Sequence, residues 1–184
     1  MNTANTDIQP TAQKRIAADA RALERKLERK EVNTPRITQV RHVFSMVCRV
    51  EVSILAEAQR VWDLLIDARD FPRWNSTVTR IEGEIKDGER LRLHVPGTDR
   101  TFTPRVCDLV PGKRMVWTGG FAPLFKGVRT FELRARGAGS TEFAMEERFS
   151  GPVFALGKGS LPDFGPVFER FANDLKREAE RSKP

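Results

Sequence analysis

Residues 161–180, LPDFGPVFERFANDLKREAE, constrain this chain more than any other stretch. Phe164, Phe168, Phe171 and Leu175 recur at intervals of four, three and four residues, which is one face of an α-helix. Asp163 is the expected N-cap, and Pro166 falls in the first turn, where a missing N–H costs little. Glu169, Arg170, Asp174, Lys176, Arg177 and Glu178 occupy the opposite face, which is expected to be wet. Burial is worth ~1.5–3 kcal/mol for each large apolar side chain, so this stripe requires a broad apolar partner. The residues before it supply one, as a curved antiparallel sheet.

Residues 43–55 alternate Phe44, Met46, Cys48, Val50, Val52 and Ile54 with Ser45, Val47, Arg49, Glu51 and Ser53, the period of a strand with one buried face. A short helix over 58–68 follows, with Val61, Leu64, Leu65 and Ala68 on one side and Trp62 packing beside them. Phe71-Pro72-Arg73-Trp74 makes a second brief helical turn or loop. Strands are then expected over 77–85, 89–95, 101–110, 113–119, 127–136 and 140–149. Asp87-Gly88, Pro96-Gly97, Pro111-Gly112 and Gly137-Ala138-Gly139 turn the chain between them, and Asp-Gly is a strong hairpin signal. The order is strand, two short helices, six strands and a long helix.

Upstream, residues 1–10 are polar and read as disordered. Residues 11–30 suit a helix whose apolar stripe is only Ile16, Ala20, Leu23 and Leu27, too short a seam for a coiled coil. That helix is either a solvated extension or a docking surface for a homodimer. Asn33-Thr34-Pro35 breaks it, dividing a basic extension (1–35) from the main domain (36–184).

Charge then narrows the partners. The formal net charge is +7, with nine Lys/Arg against five Asp/Glu in residues 1–42 and 23 against 20 in the rest. The main domain is nearly balanced and has no basic, aromatic-interleaved ribbon, so no nucleic-acid partner is expected. No run approaches the ~20 apolar residues that cross a bilayer, so stable membrane insertion is not expected, and the absence of a signal-type segment leads to a cytoplasmic expectation. The two cysteines, Cys48 and Cys107, sit in strand-like runs and read as buried thiols.

Three stretches carry a family resemblance: VWDLLIDARDFPRWNSTV after the first strand, the LVPGKRMVW hairpin, and LPDFGPVFERFANDLKREAE. Together, over residues 43–180, they resemble the START-like helix-grip (SRPBCC) superfamily, in its polyketide cyclase/dehydrase-like ligand-binding branch. The resemblance implies an α+β fold: a seven-stranded antiparallel sheet wrapped around the C-terminal helix, with a hydrophobic cavity between them. It implies binding or transport of a small hydrophobic molecule, lipid-, polyketide- or aromatic-like. It is weakly specific for activity, so a cyclase/aromatase-like enzyme remains the alternative, and an interaction module acting through the N-terminal helix a third.

The chemistry of the residues fits a guest site better than a reaction centre. His42 and His94 are the only histidines and no Cys-x-x-Cys pair exists, so no metal is expected. Gly157-Lys158-Gly159-Ser160 fails the phosphate-loop pattern and no dinucleotide fingerprint is present, so no cofactor is expected. In the last hairpin, a register that opposes Leu133 with Phe143 and Phe131 with Met145 also opposes Arg129 with Glu147 on the inner face. The same register pairs Arg134 with Glu142 outside. A buried charge needs a partner, so Arg129 and Glu147 form either a structural ion pair or a polar anchor for a ligand. Trp74 and Trp117 are either core or pocket lining. In the resembled fold Trp74, Trp117, Phe131, Met145, Phe164 and Phe168 would line the cavity, Arg129 and Glu147 would orient the guest, and Phe121 and Phe154 would gate it. Both gates lie in loops, 121–125 and 152–156, that are apolar for idle surface. For an enzyme, Glu147 is the leading acid/base candidate, ahead of His94, taken as solvent-facing, and Asp108.

Overall fold

The computed structural model describes residues 34–121, 123–137, 139–152 and 163–181, with Arg15, Ala18 and Arg21. Of the expected helix over 11–30 only those three residues are described, and they are helical; the rest of it, its dimer role and the gate residue Phe154 lie outside the described residues. The chain divides into two units, Met1–Thr34 and Pro35–Pro184, and the second holds every element that follows.

Among the described residues nine strands and three helices are delimited, in this order. They are β1 (Arg36–Arg41), β2 (Ser45–Ile54), α1 (Ala58–Ile66), α2 (Phe71–Trp74), β3 (Arg80–Glu82), β4 (Arg92–His94), β5 (Thr101–Phe102), β6 (Arg105–Val110), β7 (Arg114–Phe121), β8 (Phe125–Ala135), β9 (Thr141–Ser150) and α3 (Gly165–Glu180). Six strands form one antiparallel sheet in the order β1-β2-β9-β8-β7-β6, and β3-β4-β5 form a smaller one. Backbone bonds from Val106 to Glu89 (2.8 Å) and from Leu91 to Pro104 (2.9 Å) stitch the smaller sheet to the larger.

The expected count of seven strands is therefore corrected. Residues 36–41, placed before the first strand on sequence, form the edge strand β1. Its alternation is faint because an edge strand half in water needs little apolar pattern, and its Arg36 and Arg41 suit an open edge. The run over 101–110 breaks into β5 and β6 at Pro104, which has no N–H for a ladder. Within β6 the register shifts between Cys107 and Val110, and Asp108 takes a left-handed φ of 50° at that bulge.

The C-terminal stripe packs as its spacing requires: Phe168, Phe171, Ala172, Leu175 and Ala179 are buried. Asp163 acts one residue earlier than expected. Phe164 is the N-cap, and the Asp163 carboxylate accepts the Gly165 N–H at 3.0 Å. Pro166 does sit in the first turn. The supposedly wet face is not wholly so, because Asp174 and Lys176 are buried. Asp174 accepts the Ser76 N–H (2.8 Å) and hydroxyl (2.6 Å), and the Lys176 ammonium donates to the Ser53 carbonyl at 2.7 Å. Paired this way, two buried charges latch the helix to the segment after α2 and to the end of β2. Arg60 on α1 also donates to the terminal carbonyls of Glu178 (3.1 Å) and Arg181 (2.7 Å), closing the helix end.

Candidate functional site

The inner face of the large sheet is arranged in rows that run across the strands. One row joins Ile37, Val50, Met145, Phe131 and Met115. The next joins Gln39, Cys48, Glu147, Arg129, Trp117 and Val106. The hairpin register is the expected one: Leu133 with Phe143, Phe131 with Met145, Arg129 with Glu147. Arg134 and Glu142 do face each other on the outer side, but their side chains choose other partners, Glu132 and Arg136.

The second row is the polar one. Arg129 Nε donates to Glu147 at 3.0 Å, and the two side chains retain only 23% and 13% of their exposure. The Arg129 guanidinium lies 5.6 Å from the centre of the Phe168 ring, so the helix covers the cation with an aromatic face. Beside them the Cys48 thiol is pushed up to about 11, by burial first and then by the negative charges of Asp163 and Glu147. It is a protonated thiol at neutral pH and no nucleophile.

The first row belongs to a continuous aromatic network. Phe171 on α3 lies 6.1 Å from Phe71, 5.8 Å from Trp74, 6.0 Å from Phe131 and 6.1 Å from Phe143. Trp117 extends it, 4.9 Å from Phe131 and 6.4 Å from Phe71. Trp74, Trp117, Phe131, Met145 and Phe168 are all buried, so the structure brings these expected lining residues together between sheet and helix. A separate open groove of about 800 Å³ is bordered by Arg60, Asp63, Asp70, Arg73 and Glu178.

Phe164 and Phe121 mark one end of the sheet. Phe164 is half-buried, 5.0 Å from Phe149, in a satellite cluster with Met46 and Phe125. Phe121 is 58% exposed, and Phe44, Val43 and Leu124 are exposed as well. Phe44 was expected on the buried face of its strand. It lies instead in the turn before β2, where alternation no longer governs. Two glycines shape this end: Gly120 (φ 119°) and Gly151 (φ 128°), where a Cβ would strike the backbone of Phe125 and Leu124.

The rival acid/base candidates stand apart. His94 is half-buried rather than solvent-facing, its Nε2 3.3 Å from Glu82 in the smaller sheet. Asp108 is exposed and pairs with Arg114 at 3.1 Å. Asn75 is a residue that sequence reasoning missed. It is buried, and its Oδ1 accepts the Thr77 N–H at 2.8 Å. Its only sequence signal was its place just after the Phe71–Trp74 turn.

Among the described residues no set of three or more His, Cys, Asp or Glu is placed to hold a metal, and no helix is long and apolar enough to cross a membrane. Several solved structures share the fold. A START superfamily protein from Mycobacterium smegmatis matches with a TM-score of 0.55 at 18% identity, over 73% of this chain and 97% of that one. A hypothetical protein from Helicobacter pylori matches with a TM-score of 0.60 at 15% identity, over 72% and 86%. DynU16, a putative protein of the dynemicin biosynthetic locus, matches with a TM-score of 0.54 at 22% identity, over 74% of this chain and 48% of that one. No curated protein matches the chain. The family model described as polyketide cyclase/dehydrase and lipid transport matches residues 47–180, from β2 to the last residue of α3. The chain thus belongs to the polyketide cyclase/dehydrase and lipid transport family and has its START-like fold.

Proposed function

We infer that this protein binds a small hydrophobic guest between the inner face of the large sheet and α3, and acts as a carrier or binding protein. The observation that carries the reading is the Arg129–Glu147 pair on the inner face, with Phe168 over the guanidinium. A fold that needed only a core would place apolar residues there, since a buried pair is often no more stable than its hydrophobic replacement. A pair retained beside aromatic rings provides a polar point for a guest's hydroxyl, carbonyl or carboxylate, the mixture typical of small-molecule sites. Family membership supports the same reading, as does the likeness to a START superfamily protein.

On this reading the guest enters by parting rings of the network around Phe171. A guest that contacts the parted state better shifts the population toward it. Phe121 stands at an exposed apolar end, in keeping with a gating role. Catalysis is the weaker reading: Cys48 stays protonated and Asp108 faces solvent, which leaves Glu147 alone as an inner-face acid, tied to Arg129.

The test is native mass spectrometry of the protein purified from its own source, followed by extraction and mass analysis. A stoichiometric lipid-like or aromatic passenger is the expected result. A protein that is empty and shows no affinity for hydrophobic probes overturns the reading.

A further inference from the structure

Three buried side-chain nitrogens, on residues that neighbour Phe71, have no hydrogen-bond partner among the described residues: Trp74 Nε1, Trp117 Nε1 and Asn75 Nδ2. All three side chains are more than nine-tenths buried, at 4%, 3% and 1% exposure. Each is tied to Phe71. The Trp74 ring lies 4.7 Å from it, the Trp117 ring 6.4 Å, and the Asn75 backbone N–H donates to the Phe71 carbonyl at 2.9 Å. An indole nitrogen can only donate, and the Asn75 amide already uses its oxygen on Thr77. The corner therefore has a surplus of donors. A donor buried without a partner is destabilising, and natural structures keep few of them.

We propose that this corner is a donor-rich subsite that selects guests bearing carbonyl or ether oxygens over hydrocarbons of the same shape. The proposal rests on the ligand-binding reading above and names the chemistry of the guest. An oxygen acceptor brought among these nitrogens satisfies donors that the packed protein leaves unmet, whereas a hydrocarbon leaves them unmet and gains only contact. A site built of unmatched polar groups discriminates more sharply between such analogues than an apolar pocket does. Trp117 also stands beside Arg129 in the polar row, so one guest can reach both features.

The test uses the full-length protein and two probes of one tricyclic outline, fluorene and fluorenone, which differ by a carbonyl. Equilibrium dialysis measures each affinity, and the three tryptophan indole N–H signals are followed by NMR with isotope-labelled protein, assigned by single Trp→Phe substitutions. Fluorenone is expected to bind roughly tenfold tighter, the size of one recovered hydrogen bond. It should shift the indole signals of Trp74 or Trp117 downfield and leave Trp62 in place. In the double variant Trp74→Phe/Trp117→Phe the fluorenone-to-fluorene affinity ratio should fall to about one, whatever the affinity for each probe; should the variant fail to fold, the wild-type indole shifts and affinity ratio decide. Equal affinities with unmoved indole signals overturn the subsite, assign the donors to internal water, and leave the ligand-binding reading standing. Uptake of neither probe overturns both.

Discussion

Two adjacent rows of the same sheet face do different jobs. The Ile37–Val50–Met145–Phe131–Met115 row meets Phe171 and its ring neighbours, with no polar group among its side chains. One step along each strand pair, the row through Cys48, Glu147, Arg129 and Trp117 holds two charges, a thiol and an indole, with Phe168 of α3 over the Arg129 guanidinium. Both are covered by the same helix, so burial alone does not separate them. What separates them is whether the buried atoms have polar needs. The first row is satisfied by contact; in the second Arg129 and Glu147 meet each other while the Trp117 indole N–H has no partner among the described residues, which is why chemistry is sought there.

The comparison breaks most readily at Phe171. Phe171→Ala removes the ring that meets four others and should cost about 3–5 kcal/mol in chemical denaturation. A loss under about 1 kcal/mol would show that the apolar row is not what secures the helix. The polar row predicts a chemical asymmetry. Cys48, held to about 11 against an ordinary 9.0, should alkylate roughly a hundredfold more slowly in the folded protein than in the unfolded chain near pH 8, from thiolate fraction alone. The sign carries into stability. The unfolded thiol starts to lose its proton near 9.0 while the folded one keeps it to about 11, so stability falls as pH rises through that window. Fast labelling of Cys48 in the folded state would mean the polar row is open to water.

Glu147→Gln sharpens the contrast further. It leaves Arg129 short of its counter-ion and should cost about 1–3 kcal/mol, while shifting guest preference. The double change Arg129→Met/Glu147→Leu should recover most of that stability but not the preference. Recovery of both would make the pair purely structural.

The smallest effect lies on the outer surface, where α2 meets α3 through Arg73, bonded to Asp70 (2.6 Å) and Glu178 (2.8 Å). The Arg73 hydrogen bonds hold Asp70 below the usual carboxylate range. At Glu178 burial works the other way, and hydrogen bonds from Arg73 and Arg181 outweigh it. Both carboxyls are depressed, so their contribution is present above about pH 4.5 and lost as pH falls below it. Arg73→Ala should flatten that acid limb and cost no more than ~1 kcal/mol, because Arg73 is half exposed. An unchanged acid limb would remove this contact from the account of how the helix is held.

Much of the architecture was legible in residue patterns because local rules govern it. The spacing of Phe168, Phe171 and Leu175 is set by helix geometry, and the alternation in 129–133 and 143–147 put Arg129 and Glu147 on one face, where the register that opposes Leu133 with Phe143 also opposes the two charges. Tertiary packing decided the rest. The edge strand β1 has too little alternation to read, and the break at Pro104 depended on which neighbour its backbone meets. Whether Asp174 and Lys176 were wet turned on Ser76 and Ser53, 98 and 123 residues away in the chain. Nothing local announced the unmet donors of Trp74, Asn75 and Trp117 either, because a missing partner is a property of the surroundings. Periodicity records which face of an element is buried. Only the folded chain decides what each buried atom meets.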